Sequence, residues 1–153
     1  ADIPAAGERL RGYMRALASR GIEFDPSLVA TALDECPGGF EAASGLLGSA
    51  SRPTALFCFN DRMAAGAVHA ARRMGLSVPR DLSLVGFDNE ELVATLTDPP
   101  LTTVQLPHYE MGRWAIEQLL ELIAGRGDPP SQHRMPCPLV ARGSVAAPGR
   151  ALP

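Results

Sequence analysis

Two polar pairs stand at the ends of the two most apolar runs in this 153-residue sequence. Thr54-Ala55-Leu56-Phe57-Cys58-Phe59 hands over to Asn60-Asp61, and Leu82-Ser83-Leu84-Val85-Gly86-Phe87 hands over to Asp88-Asn89. An amide and several carboxylates converging on one cleft can accept and donate hydrogen bonds to ligand hydroxyls, which is binding chemistry. Each residue also has a second reading, with Asn60 capping the next helix and Asp61 and Asp88 complementing helix ends or turns. Arg9 is a cation able to reach the same cleft, and it also fits a solvated helix face. No reaction centre is visible beside them. His69, His108 and His133 lack metal-ligand spacing. Glycine-rich phosphate loops and the Ser nucleophile elbow are missing from the sequence. Cys58 in its apolar run reads as packing, and Trp114, whose ring is able to stack on a sugar or base, shares an apolar stripe with Met111 and Ile123.

The elements that would position these residues follow from periodicity. Leu10, Tyr13, Met14 and Leu17 predict an amphipathic helix over 5–19, with Asp2 as its cap candidate and Gly21 as its stop. Residues 27–33 read as a short strand after Asp25-Pro26, and Phe40, Ala43, Leu46 and Leu47 place a helix over about 38–48. The run over 54–59, apolar throughout, predicts a central parallel strand buried on both faces. A helix over 61–74 and a second buried strand over 82–87 follow, so strand, helix and strand make a right-handed parallel crossover. A short apolar segment over 92–96 and a Pro-rich traverse over 99–104 come next. The longest helix runs from 107 or 108 to 124, its stripe formed by Met111, Trp114, Ala115, Leu119, Leu122 and Ile123. Residues 135–140 could add a last strand, which Pro136 and Pro138 confine to an edge. The tail from Ala146 is expected to be loose. The predicted fold class is α/β: three layers, with a mainly parallel sheet flanked by helices.

Composition narrows the function classes. A chain of this length makes one domain, and no staple is needed to bury its core. Its basic residues number 14, all Arg and all scattered, against 17 acidic ones, for a net charge of -3. That argues against nucleic acid binding by this segment, which needs a concentrated positive surface. The longest apolar runs fall short of the roughly 18–20 residues of a membrane span, so a soluble chain is expected. The three cysteines, Cys36, Cys58 and Cys137, fit neither a disulfide framework nor a metal knuckle, and a reducing, cytoplasmic compartment is the simpler expectation. No metal and no cofactor is expected. The chain opens on a helix, and its long helix arrives after a traverse that leaves the sheet just built. Both features suggest one lobe of a bilobed protein.

Several stretches together resemble the effector-binding domain of the LacI/GalR family of bacterial transcription repressors. They are the stretch from Arg52 through Asn60-Asp61-Arg62-Met63-Ala64 to Ala70, the stretch from Gly75 through Gly86-Phe87-Asp88-Asn89, and Pro100-Leu101-Thr102-Thr103-Val104. Glu8-Arg9-Leu10-Arg11-Gly12-Tyr13 and Glu110-Met111-Gly112-Arg113 extend the likeness over nearly the whole chain. The resemblance implies a type I periplasmic-binding-protein fold, with residues 1–98 in the second lobe, 99–106 the crossover, 107–124 a helix of an absent first lobe, and 132–145 the return. It implies effector contacts at Arg9, Asn60 and Asp88, with Asp61 a further candidate. It also implies a small-molecule effector such as a sugar or related polyol, a homodimer formed around residues 36–47, 64–71 and 92–98, and operator DNA bound through a headpiece outside this chain. Leu33 or Asp34 stands where sugar-responsive members carry a stacking aromatic, so a polyol, an atypical sugar, a nucleobase and a phosphorylated metabolite all stay open. A sugar receptor of a transport system is the alternative reading. An enzyme fragment using Asp61 or Asp88 is the third.

Overall fold

The computed structural model describes residues 4–126 and 132–147. Five helices and four strands alternate along it: α1 (Pro4–Ala18), α2 (Cys36–Leu47), β1 (Ala55–Phe57), α3 (Asp61–Arg73), β2 (Ser83–Asp88), α4 (Glu91–Leu96), β3 (Thr102–Gln105), α5 (His108–Ile123) and β4 (Leu139–Val140). The sheet order is β1-β2-β3-β4, with β1, β2 and β3 parallel and β4 antiparallel at the end. This is the expected α/β class. The expected parallel pairing of the two apolar runs is present, in the register Ala55 to Ser83 and Phe57 to Val85.

Side-chain alternation along β2 divides the layers. Leu84 and Gly86 are buried toward α3, whereas Phe87 points to the other face, where Arg9 of α1 lies over its ring. The core sits on the α3 side, built from Ala43, Leu47, Ala64, Ala67, Val68, Ala71, Leu82, Leu84 and Leu101. Small residues there let backbones meet. A Cβ on Gly66 would lie 2.1 Å from the Cys36 carbonyl oxygen, and one on Gly39 would lie 2.2 Å from that of Met63, so α2 and α3 cross almost backbone to backbone. The returning segment ties the inner strands together at their beginnings. Ser144, fully buried, donates to the Leu84 carbonyl at 2.6 Å and accepts from the Thr102 N–H at 2.8 Å.

The structure corrects four sequence expectations. Residues 27–33 form no strand: Asp25 accepts from the Ser27 N–H at 2.8 Å and Pro26–Leu28 makes a 3-10 turn, a local bond that competes with a ladder. The apolar run over 54–59 supplies three strand residues at the edge of the sheet, and Phe57 is 44% exposed there. β3, read from its prolines as a traverse, is instead an inner strand, because Pro99-Pro100 end before the ladder begins. The segment over 92–96, to which periodicity assigns no element, lies in a one-and-a-half-turn helix, α4. The last strand is an edge as expected, but it starts after Pro138 and has two residues. Asp2, the 127–131 link and the tail beyond 147 lie outside the described residues. Ala146 exchanges hydrogen bonds with the Ser83 hydroxyl, so the tail is fastened where it begins.

Two glycines test this packing. Gly66→Ala must push α2 off α3 and is expected to destabilise the protein by about 1–3 kcal/mol. Gly45, exposed in the last turn of α2, has nothing within 4 Å of its Cβ position, so Gly45→Ala should stabilise by roughly 0.5–1 kcal/mol. Urea denaturation of both variants checks the signs, and equal effects would contradict the crossing.

Candidate functional site

Because β1 and β2 are parallel, their carboxyl ends lie on one side of the sheet, the place where open parallel sheets hold ligands. A cavity of about 620 Å³ opens there, lined by Asp34, Glu35, Asn60, Arg62, Asp88, Asn89, Glu90, Glu91 and His108. Asn60 and Asp88, picked from the sequence, therefore share one depression.

The four sequence candidates have different surroundings. Asn60 is the cap of α3: its Oδ1 accepts from the Met63 N–H at 2.8 Å, and its Nδ2 donates to the Asp34 carbonyl at 2.8 Å. It lines the cavity with the hydrogen-bonding capacity that remains. Asp61, one residue on, is 1% exposed and is not part of the lining. Its Oδ1 accepts from the Thr103 hydroxyl at 2.5 Å and its Oδ2 from the Glu90 N–H at 2.8 Å, while a Cβ on Gly86 would collide with the carboxylate at 2.1 Å. Burial raises its pKa above the ordinary carboxylate value, opposed by those two donors. Both carboxylate oxygens are thus committed inside the fold.

Asp88 faces the cavity from the last residue of β2, with φ of 106°, and Asn89 follows at φ 55°. Consecutive non-glycine residues at positive φ are rare and mark a turn whose shape the surroundings impose. Arg9 stands behind Asp88 and outside the lining. Its guanidinium carbon lies 3.8 Å from the centre of the Phe87 ring and 4.2 Å from that of Phe59, Nη1 donates to the Phe59 carbonyl, and Nη2 is 3.4 Å from Asp88 Oδ1. Burial lowers the pKa of Arg9 and raises that of Asp88, and the attraction between them opposes each shift.

Glu35, Arg62, Glu90, Glu91 and His108 line the cavity without having been site candidates in the sequence. Arg62 bonds Glu90 through Nε at 2.9 Å and Nη2 at 3.2 Å, joining the starts of α3 and α4 across the rim. His108 begins α5 and lies close enough to Asp88 to favour its ionised form. Arg142 enters from the return segment and donates to Asn89 Oδ1 at 2.7 Å. Asn89 belongs to the polar pair that ends the second apolar run; nothing local signals Arg142, 53 residues later. Asp34 does reach the lining, whereas Leu33 is 75% exposed outside it. Burial just beyond the end of β1 pushes the Cys58 thiol up to about 12, which leaves it an inert packing group. Trp114 stacks on His133, ring centres 4.8 Å apart and 14° from parallel. Among the described residues, no group of three or more His, Cys, Asp or Glu side chains could hold a metal ion.

Comparison with known proteins places this arrangement. The periplasmic binding protein-like domain family matches residues 2–145. The HTH-type transcriptional repressor CytR of Escherichia coli (strain K12) is 43% identical over 146 residues, which cover 95% of this chain and 42% of that protein. The HTH-type transcriptional regulator MalR of Streptomyces coelicolor is 44% identical over 146 residues, 92% of this chain and 42% of its own. Among solved structures, the transcriptional repressor ascG of Escherichia coli superposes with a TM-score of 0.85 at 34% identity, covering 95% of this chain and 52% of its own. A complex of the transcriptional regulator CelR with cellobiose gives 0.83 at 34% identity, covering 90% of this chain and 42% of that one. The chain thus spans less than half the length of the curated relatives it matches. It belongs to the periplasmic binding protein-like domains, in the form carried by LacI/GalR-type transcriptional regulators.

Proposed function

We propose that the chain is most of the second lobe of an effector-binding domain, holding one wall of an interlobe cleft in a DNA-binding transcription regulator. The observation that carries this is the convergence of Asn60, Asp88 and Asn89 on one cavity at the carboxyl ends of parallel strands. Residues 1–98 are assigned to this lobe, 99–106 to the crossover, 107–124 to the first lobe and 132–145 to the return. The surface of α5 supports the division: none of its residues is buried, and Tyr109, Ile116, Leu120 and Ile123 are each more than half exposed. Leaving side chains of this size in water forfeits roughly 1.5–3 kcal/mol apiece relative to burial. A first lobe covering that surface accounts for it. Leu92 and Leu96 of α4 are 72% and 77% exposed, which suits the homodimer expected through 92–98.

Cavity charge narrows the effector class. Five carboxylates, those of Asp34, Glu35, Asp88, Glu90 and Glu91, face two basic side chains, Arg62 and His108, and Arg62 is already bonded to Glu90. Acceptors in such excess favour a neutral ligand rich in hydroxyl or N–H donors and disfavour a phosphorylated one. That CelR was solved with cellobiose supports a hydroxyl-rich ligand. In the intact protein the lobes would be held together by the effector, and a ligand shifts such an equilibrium by its difference in affinity for the two states. Operator DNA would be bound by a headpiece outside this chain and released or engaged by that shift. The relatives being regulators supports this over a transport receptor, and their non-catalytic family over an enzyme.

Calorimetric titration of the intact protein with mono- and disaccharides, ribonucleosides and their phosphorylated counterparts should find a neutral binder. In Asp88→Asn the affinity for that binder should fall about 10- to 100-fold, the range for losing a charge-assisted hydrogen bond, with DNA affinity retained. Unchanged effector affinity would contradict the role of Asp88. The 153-residue chain alone, with its net charge of -3, should show no specific binding to duplex DNA at low salt by fluorescence anisotropy. Specific binding by these residues alone would overturn the assignment of DNA reading to a headpiece.

A further inference from the structure

Arg142 has no part in the contacts expected of the site, yet it reaches the cavity wall from the opposite end of the chain. Its backbone N–H donates to the Thr102 hydroxyl at 2.9 Å, its Nη1 to the Leu101 carbonyl at 2.9 Å, and its Nη2 to Asn89 Oδ1 at 2.7 Å. One side chain therefore clamps the start of β3 to the turn that follows β2. That turn is the strained part of the cavity, with Asp88 and Asn89 both at positive φ. Bonds of 3.4 Å from the Asn89 N–H to the Thr103 hydroxyl and 3.3 Å from the Leu106 N–H to the Asp88 carbonyl also hold it, and the next residue, Glu90, donates its N–H to Asp61 at 2.8 Å.

The pairing also fixes the polarity of the amide. A guanidinium has donors and no acceptor, so Arg142 can bond only the oxygen of Asn89. Asn89 lines the cavity, and its Nδ2 donors are the atoms left for a ligand. We infer that Arg142 is a positioning residue that holds Asn89 with its N–H donors toward the cavity, making Asn89 a ligand-reading donor beside the Asp88 acceptor. This rests on the cavity being the effector site proposed above. It explains how a wall rich in carboxylates also reads acceptor atoms of a ligand, and it makes the docked return segment part of the site. A lysine cannot replace the fork, since one ammonium does not span both Asn89 and the Leu101 carbonyl in the same geometry.

Three variants of the intact protein, Arg142→Met, Arg142→Lys and Asn89→Asp, test it by amide hydrogen exchange and by titration with the panel above. In Arg142→Met, exchange at residues 88–91 should rise about tenfold while α3 amides keep their protection, because a local opening leaves the core in place. Arg142→Lys should fall between. Asn89→Asp keeps an acceptor for Arg142 and removes the donors, so exchange at 88–91 should stay as in the parent while affinity for the neutral binder falls about tenfold or more. Unchanged exchange at 88–91 in Arg142→Met, or a uniform rise that includes α3, would overturn the positioning role. Parent-like ligand affinity in Asn89→Asp would overturn the donor role. If no panel compound binds the parent, the effector reading of the cavity and the donor role of Asn89 fall together, and the exchange result still decides what Arg142 does.

Discussion

The buried carboxylate of Asp61 holds the elements around the cavity in register. Ionised in the interior, such a group costs several kcal/mol unless its oxygens are bonded. Here the Thr103 hydroxyl of β3 and the Glu90 N–H ahead of α4 supply those bonds, and the first turn of α3 supplies a favourable dipole. The carboxylate fits because β2 offers Gly86 at that point, where any side chain would collide with it. Two inner strands and two helix starts thereby meet at one side chain, and each of those elements contributes a residue to the cavity or to its immediate support.

From that constraint the division of labour at the two strand ends follows. Asn60 and Asp61 leave β1 and are largely consumed by structure, one capping α3 and the other joining β3 to α4. Asp88 and Asn89 leave β2 in a conformation that presents them outward, and their partners, Arg9 and Arg142, approach from behind. Arg9 is itself fixed by two aromatic rings, a contact that favours a desolvated guanidinium. The polar ends of the cavity wall are thus oriented before any ligand arrives, which lowers the ordering cost of binding.

Much of this was legible in the sequence, and the exceptions have physical causes. Apolar runs ending in Asn60 and Asp88 located both strand ends, since long buried runs and polar terminators are local signals. The order of the strands was not local. Phe57 and its neighbours read as central because an apolar run looks alike at a sheet edge and inside one, and Thr102-Thr103-Val104 reads as a traverse because Pro99-Pro100 just before it mask the strand propensity of its β-branched residues. By residue type and position alone Asp61 looks as much like a ligand contact as Asp88 does, and the resemblance makes it only a further candidate. What separates them is Gly86 and Thr103 across the sheet, and spacing along the chain carries no record of that. Arg142 was invisible for the same reason, its partners Asn89 and Leu101 being brought to it by the long excursion through α5.

The central claim is that one carboxylate of the pair holds the fold and the other reads the ligand. A crystal structure of the intact protein with its effector bound tests this most directly. Asp88 and Asn89 should lie within hydrogen-bonding distance of the ligand while Asp61 keeps its bonds to Thr103 and the Glu90 N–H. An effector seated on Asp61, or one bound away from the carboxyl ends of β1 and β2 with Asp88 still facing solvent, would contradict the account.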